Sequence, residues 1–173
     1  MTDESVEIDW TGVSEDTARQ IMAQGETFMQ AQLQAAIAAD SRATTMAGLY
    51  ITLALAVLAA GFGYSDITDS NSALLAGLLA GIFLIAAAVF ANWSARPCDF
   101  YFPGNQPSQW FAVRNIELAQ LLGGEAENYE ERIVFNDAVL GVNKTALERA
   151  HIIAILSPVA GIAGWLLGLC AWL

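Results

Sequence analysis

The chain has 173 residues, of which 55% are hydrophobic and 14% are charged, and its formal net charge is −11. A soluble globular domain contains roughly 45–50% apolar residues, so this composition indicates that part of the chain lies in an apolar solvent. The acidic balance provides no basic stripe to neutralise phosphates, which argues against a nucleic-acid-binding protein.

The first 42 residues form a polar segment that precedes the first apolar block. They open with the acidic sequence MTDESVEIDW rather than a basic start and an early apolar core, so we expect no cleaved signal peptide. Ser14 is predicted to cap a helix, because Glu15 and Asp16 follow it and carboxylates favour the positive end of a helix dipole. We predict a single helix over residues 14–62, with its first half in the cytoplasm and its second half in lipid.

Three blocks contain no Asp, Glu, Lys or Arg: residues 43–63, 72–93 and 151–173. As helices they would each be about 31–35 Å long, which matches a hydrocarbon core of about 30 Å. The alternative is a soluble bundle with unusually apolar core helices, but such helices show a polar face to water and these blocks have none. The sequence therefore predicts an all-α integral membrane protein with three transmembrane helices. Two of them extend as long helices into the cytoplasm, with a short cytoplasmic helix and loop between spans two and three.

The seven basic residues are distributed unevenly and predict the orientation of the spans. Two of them precede span one and five lie within residues 94–150, whereas the connection 64–71 has none. Because basic residues near span ends favour the cytoplasmic side, residues 1–42 and 94–150 are assigned to the cytoplasm. The 64–71 loop and the C-terminus are then outside, and we expect a multi-pass protein of the plasma (inner) membrane with a cytoplasmic N-terminus. The alternative is the reversed orientation, since the rule has exceptions.

Residues 97–110, which follow span two, combine aromatic residues with prolines that prevent regular structure. An interaction loop is predicted here from four aromatic residues: Phe100, Tyr101, Phe102 and Trp110. The alternative is that these rings lie in the lipid headgroup layer beside the span. A short helix is predicted over Gln109–Leu122, and Gly123 and Gly124 are predicted to end it.

A second long helix is predicted from Glu125 through span three, bent near Pro158. Along it, residues at alternating steps of four and three are typical of a coiled-coil seam. They are Tyr129, Ile133, Asn136, Leu140, Asn143, Leu147 and Ala150. One interpretation is that Asn136 and Asn143 fix the register against residues 14–42. The other is that the stripe is shallow and both amides face water.

Small residues at four-residue spacing predict helix-packing faces in spans two and three. They are Ala73, Gly77 and Gly81 in span two and Ala160, Gly164 and Gly168 in span three. The partner of each face is either another span of the same chain or a neighbouring copy, and the spacing does not decide between them. The spans contain no Asp, Glu, Lys or Arg, which disfavours an ion-coupled transporter.

The sequence contains no hydrolase motif, no phosphate-binding loop and no zinc-ligand spacing, so we expect no enzyme, cofactor or metal site. Our first hypothesis is a non-catalytic integral membrane protein that self-associates into an oligomeric assembly, either a small pore or a signal-gated membrane effector. The alternative is an accessory or scaffold subunit that packs against a larger membrane complex. The expected partners are therefore the lipid bilayer and either further copies of the chain or another membrane protein.

Overall fold

The computed structural model describes residues 9–68, 71–105, 108–109 and 115–170, and these ranges contain long α-helices and no strand. Helix α1 spans Glu15–Thr68, α2 spans Asn71–Ser94 and α3 spans Leu118–Cys170. All three are long and apolar enough to cross a membrane. The prediction of an all-α chain with three helices of spanning length is confirmed, and these helices indicate a multi-pass membrane protein.

Ser14 caps the N-terminus of α1, as predicted. Its Oγ accepts a hydrogen bond from Thr17 N at 3.2 Å, and its carbonyl oxygen accepts one from Ala18 N at 3.0 Å. Glu15 and Asp16 occupy the first turn, where the positive end of the helix dipole stabilises their carboxylates. The start of α1 is therefore fixed by local interactions that can be read from the sequence.

The connection between α1 and α2 is shorter than the loop predicted at residues 64–71. Helix α1 continues to Thr68, and α2 begins at Asn71. Thr68 Oγ1 donates a hydrogen bond to the Tyr64 carbonyl at 2.8 Å, and the Tyr64 ring lies 6.4 Å from the Trp165 ring. The last turn of α1 is thus held partly by a contact with α3, which the local sequence pattern does not reveal.

Helix α3 is continuous, and the predicted helix end at Gly123 and Gly124 is wrong, because both glycines lie inside it. The indole ring of Trp10 packs directly against Gly123, where any side chain would collide with the ring. A glycine costs roughly 1 kcal/mol inside a helix, and at this position it makes room for the indole ring. Helix α3 also continues through Pro158. Of the short helix predicted over Gln109–Leu122, residues 110–114 lie outside the described part of the chain.

The chain divides into two compact units, and α1 and α3 contribute residues to both of them. The polar unit combines the described residues up to Ala35 with Asp99–Val139. The spanning unit combines Ala36–Cys98 with the described residues of Leu140–Leu173, and it contains all of α2.

The core of the spanning unit is built mainly from alanine, which lets its helices approach closely. It consists of Tyr50, Ala54, Leu84, Ala87, Ala88, Ala91 and Ala150. In the apolar windows of α1 and α3 only 17% of the residues are buried inside the protein, against 39% for α2, which contacts both neighbours. Most of the large apolar side chains therefore face outward, as expected of helices surrounded by acyl chains.

Candidate functional site

The first predicted packing face, on α2, lies against α1. A Cβ atom placed on Gly77 would come within 3.0 Å of Gly61 Cα, and one placed on Gly61 would come within 3.0 Å of the Ala73 carbonyl oxygen. A Cβ atom on Gly81 would meet the Leu58 side chain at 2.8 Å. The two backbones are therefore in direct contact, which is the arrangement that small residues permit between helices in lipid.

The second predicted packing face, on α3, lies against α2. It consists of Ala160, which is half-buried, together with Gly164 and Gly168. A Cβ atom on Gly164 would come within 2.6 Å of the Leu75 carbonyl oxygen, and one on Gly168 would collide with Ser72. Both faces thus contact another helix of the same chain in this structure.

Two buried serines add hydrogen bonds between α2 and α3. Ser157 Oγ donates to the Ala80 carbonyl at 3.1 Å, and Ser94 Oγ donates to the Asn143 carbonyl at 2.7 Å. An unpaired hydroxyl group is costly in an apolar solvent, so both hydrogen bonds favour the observed register of the two helices.

A third small-residue stripe, which the sequence analysis missed, lies on the exposed face of α1, and we call it the outer stripe. It consists of Ser41, Thr45, Gly48, Thr52, Ala56, Ala59 and Gly63, all of which are exposed. A Cβ atom on Gly48 or Gly63 would meet nothing within 4 Å. Large exposed side chains flank the stripe on both sides: Leu49, Leu53, Leu55 and Phe62. The steps of four and three could have revealed it, but three of its members are Ser or Thr rather than Gly or Ala.

In the polar unit, Asn136 is fully buried and connects three segments of the chain. Its Oδ1 accepts a hydrogen bond from Tyr101 N at 2.9 Å, while its Nδ2 donates to the Tyr101 carbonyl at 3.0 Å and to Gln32 Oε1 at 3.4 Å. Gln32 Nε2 in turn donates to Asp137 Oδ1 at 2.7 Å and to the Ile133 carbonyl at 3.0 Å. These bonds join α1, α3 and the non-helical residues 99–105, which we call the strap.

Asn143, the other predicted register residue, lies in the spanning unit and makes a different contact. It is mostly buried, and its backbone carbonyl accepts the hydrogen bond from Ser94. No hydrogen bond of its side-chain amide is found among the described residues. The proposed role of the two asparagines in fixing the register of the helices stays a prediction. Their surroundings differ, because the side chain of Asn136 makes hydrogen bonds whereas Asn143 contributes its backbone carbonyl.

The strap presents part of the predicted interaction loop at the surface of the polar unit. Phe100 is half-buried, whereas Tyr101 is 48% exposed and Phe102 is 64% exposed. Trp110 lies outside the described residues. The Tyr101 ring packs edge-on against Phe135 with the ring centres 5.1 Å apart, so this aromatic residue is held by its ring as well as its backbone.

Tyr129 anchors the far end of the strap. Its ring packs over Gly25, where a Cβ atom would come within 3.1 Å of Tyr129 Cδ2, and its hydroxyl accepts a hydrogen bond from Gly104 N at 3.1 Å. The guanidinium of Arg132 lies 5.6 Å from the centre of this ring and donates to Asn105 Oδ1 at 3.0 Å. Burial raises the pKa of the Tyr129 hydroxyl above its ordinary value.

This raised pKa predicts a loss of stability at high pH. Burial of the neutral phenol stabilises the fold fully below the unfolded pKa of about 10, and this contribution disappears as the pH rises through the higher folded pKa. When the absorbance of the tyrosine phenolates is followed as the pH is raised, Tyr129→Phe is expected to remove the contribution of one tyrosine from the high-pH part of the curve. If Tyr129→Phe left the high-pH part of the curve unchanged, the raised pKa of Tyr129 would be contradicted.

A cavity of about 390 Å³ opens in the polar unit beside Arg132. Its lining includes four amide side chains, those of Asn105, Gln109, Gln120 and Asn128. The charged residues of the lining are Glu125 and Arg132, with Glu125 Oε1 lying 3.9 Å from Arg132 Nη1. The carboxylate and the guanidinium largely neutralise each other, so the cavity has a polar lining with little net charge.

The histidine and the cysteines are the side chains best able to carry out chemistry, and none of them lines the cavity. His151 Nδ1 is 2.7 Å from the Leu147 carbonyl, and its ring meets that of Tyr50 edge-on at 6.3 Å. Cys98 and Cys170 are both free and exposed. Among the described residues, no group of three or more His, Cys, Asp or Glu side chains is placed to hold a metal ion.

No family model, no curated protein and no solved structure is detectably similar to this chain. Its function is therefore inferred from the geometry of its own residues.

Proposed function

We propose that this chain is a non-catalytic, multi-pass protein of the plasma (inner) membrane whose copies associate side by side. The observation that carries the proposal is the outer stripe of α1. Its small residues form a shallow groove between rows of larger apolar side chains, and a groove of this kind lets a second helix approach closely in lipid.

The outer stripe differs from the other two small-residue faces because those faces already contact helices of the same chain. Its two threonines are also compatible with lipid. Thr45 Oγ1 donates to the Ser41 carbonyl at 2.8 Å, and Thr52 Oγ1 donates to the Gly48 carbonyl at 2.9 Å. The hydroxyl groups are thus satisfied within their own helix. The same stripe on two copies is self-complementary, as a two-fold symmetric interface requires.

The distribution of charge supports an orientation with the N-terminus in the cytoplasm. The described cations of the spanning unit are Arg42, Arg96, Lys144 and Arg149, whereas residues 64–71 contain two aspartates and no cation. Basic residues near span ends favour the cytoplasmic side, so the C-terminus would be outside. The polar unit would then lie in the cytoplasm, and the assembly would act as a small pore or as an effector gated by a signal that the polar unit receives.

The alternative is an accessory or scaffold subunit, in which the outer stripe binds a helix of another membrane protein. The observation that favours this alternative is the exposed pair Tyr101 and Phe102. The strap that carries the pair is fixed by Asn136 and Tyr129. Rigid exposed aromatic side chains are typical anchors of protein interfaces.

Filling the groove of the outer stripe tests the first proposal. The double substitution Gly48→Leu with Gly63→Leu is expected to weaken association about five- to thirtyfold, which corresponds to a loss of roughly 1–2 kcal/mol of helix contact. Native mass spectrometry in mild detergent would report the change as a shift from oligomer to monomer. The control is Ala60→Leu, which enlarges one exposed side chain of α1 beside the stripe and should keep the oligomer.

The same spectra separate the two proposed functions. A homogeneous multimer of this chain that dissociates in the double variant supports self-association. A different membrane protein that co-purifies with the wild type and is lost from the double variant supports the accessory role. A wild-type protein that is monomeric and free of partners would defeat both.

A further inference from the structure

We propose that the end of α2 forms a binding site for the headgroup of an anionic phospholipid, built from Trp93, Arg96 and Lys144. The inference rests on the membrane location proposed above but not on self-association. The three residues belong to the spanning unit, and all three are exposed.

Arg96, which lies just beyond the end of α2, forms a stacked pair with Trp93 in the last turn of this helix. The guanidinium carbon of Arg96 lies 4.7 Å from the centre of the Trp93 ring, and Arg96 N donates to the Trp93 carbonyl at 3.3 Å. The indole ring is 55% exposed, so it is not part of the protein core. A guanidinium placed over an aromatic ring retains N–H groups that can donate to a phosphate.

Lys144 lies one residue beyond a contact between α2 and α3 that involves Ser94. Ser94, which lies between the two members of the stacked pair in the sequence, donates its buried hydroxyl to the Asn143 carbonyl at 2.7 Å. Lys144 follows Asn143 directly and its side chain is 76% exposed. Two cations and an interfacial aromatic ring therefore flank one fixed contact between helices.

This arrangement matches the chemistry of an anionic phospholipid. The phosphate accepts hydrogen bonds from the guanidinium and the ammonium, while the indole ring suits the boundary between headgroups and acyl chains. A zwitterionic lipid carries its own ammonium group, which competes with both protein cations for the phosphate. The site should therefore prefer a headgroup with a net negative charge.

Neighbouring carboxylates do not prevent the two cations from binding a headgroup. Glu148 lies 3.8 Å from Lys144, but both side chains are largely exposed, and such surface pairs are weak and exchange readily. Asp99 follows Arg96 by three residues in the sequence. The chain as a whole carries a net charge of −11, which repels an anionic membrane, so any preference for anionic lipid must come from a local site.

Native mass spectrometry of the full chain with added phosphatidylglycerol or phosphatidylcholine tests the proposal. The wild type is expected to retain phosphatidylglycerol preferentially. Arg96→Gln with Lys144→Gln should lower this retention by roughly fivefold for each cation removed. The matched control is Arg19→Gln, which removes one exposed cation of the polar unit and should leave lipid retention unchanged.

Three results would overturn the proposal: equal retention of the two lipids, undiminished phosphatidylglycerol binding in the double variant, or full displacement of the lipid by an equal concentration of inorganic phosphate. Bound lipid is counted on whichever mass species is present, monomer or oligomer, so the result does not depend on the outer stripe. Flotation with phosphatidylglycerol vesicles checks separately that each variant enters a bilayer.

Discussion

Replacing Gly77 by leucine is expected to disrupt the packing of α1 against α2 and to cost roughly 3 kcal/mol or more of folding free energy. A Cβ atom at this position comes within 3.0 Å of both Gly61 Cα and the Val57 carbonyl oxygen. Both atoms belong to the backbone and cannot rotate away, so the helices would have to separate along their interface. Unfolding in mixed detergent micelles, followed by circular dichroism, would measure the loss.

Gly63→Leu provides the matched control for this prediction. Gly63 lies on α1 only two residues from Gly61, but a Cβ atom there would meet nothing within 4 Å. Its stability as a monomer should stay within about 0.5 kcal/mol of the wild type, as is usual for substitutions at open surface positions. Equal destabilisation by the two substitutions would contradict the contact between Gly61 and Gly77.

These two glycine substitutions also separate folding from association. Gly77→Leu should destabilise the fold of each copy whether or not the copies associate, whereas Gly63→Leu should weaken the oligomer without destabilising the fold of each copy. The distinction follows from which side of α1 or α2 each glycine occupies. Sequence spacing identifies small residues, but it does not identify the side of the helix that is already covered.

Local chemistry explains which parts of the fold could be predicted. The lengths of the apolar blocks predicted three helices of spanning length, and Ser14 predicted the start of α1 because a cap depends on adjacent residues. The continuity of α3 could not be predicted in this way. Trp10 packs against Gly123 inside this helix, and two residues so far apart in the sequence give no local signal.

The two asparagines show the same limit for the candidate site. Asn136 and Asn143 are seven residues apart and occupy equivalent positions of the predicted seam. Only Asn136 meets the strap and Gln32, because the strap returns to α3 at that level. A seven-residue repeat predicts which side of a helix is buried, but not which other segment of the chain reaches each turn.

The difference between the surroundings of the two asparagines leads to the second large expected effect. Asn136→Ala should lower the free energy of unfolding by roughly 2–4 kcal/mol, because it removes several buried hydrogen bonds and leaves their partners unsatisfied. Asn143→Ala is the control and should cost less than about 1 kcal/mol, since no side-chain hydrogen bond of Asn143 is found among the described residues. Chemical denaturation of both variants in the same detergent gives the comparison.

Hydrogen exchange identifies where the Asn136 effect arises. In Asn136→Ala the amide of Tyr101 loses its acceptor, so this amide should exchange at least about tenfold faster, a change equivalent to roughly 1.4 kcal/mol of local opening. Gln32→Leu removes the bonds to α3 but leaves both Asn136 bonds to Tyr101 intact, so it should destabilise the polar unit without releasing the strap. Unchanged exchange at Tyr101 in Asn136→Ala would show that the strap is held by its aromatic rings. In that case Asn136 would serve only the contact between α1 and α3.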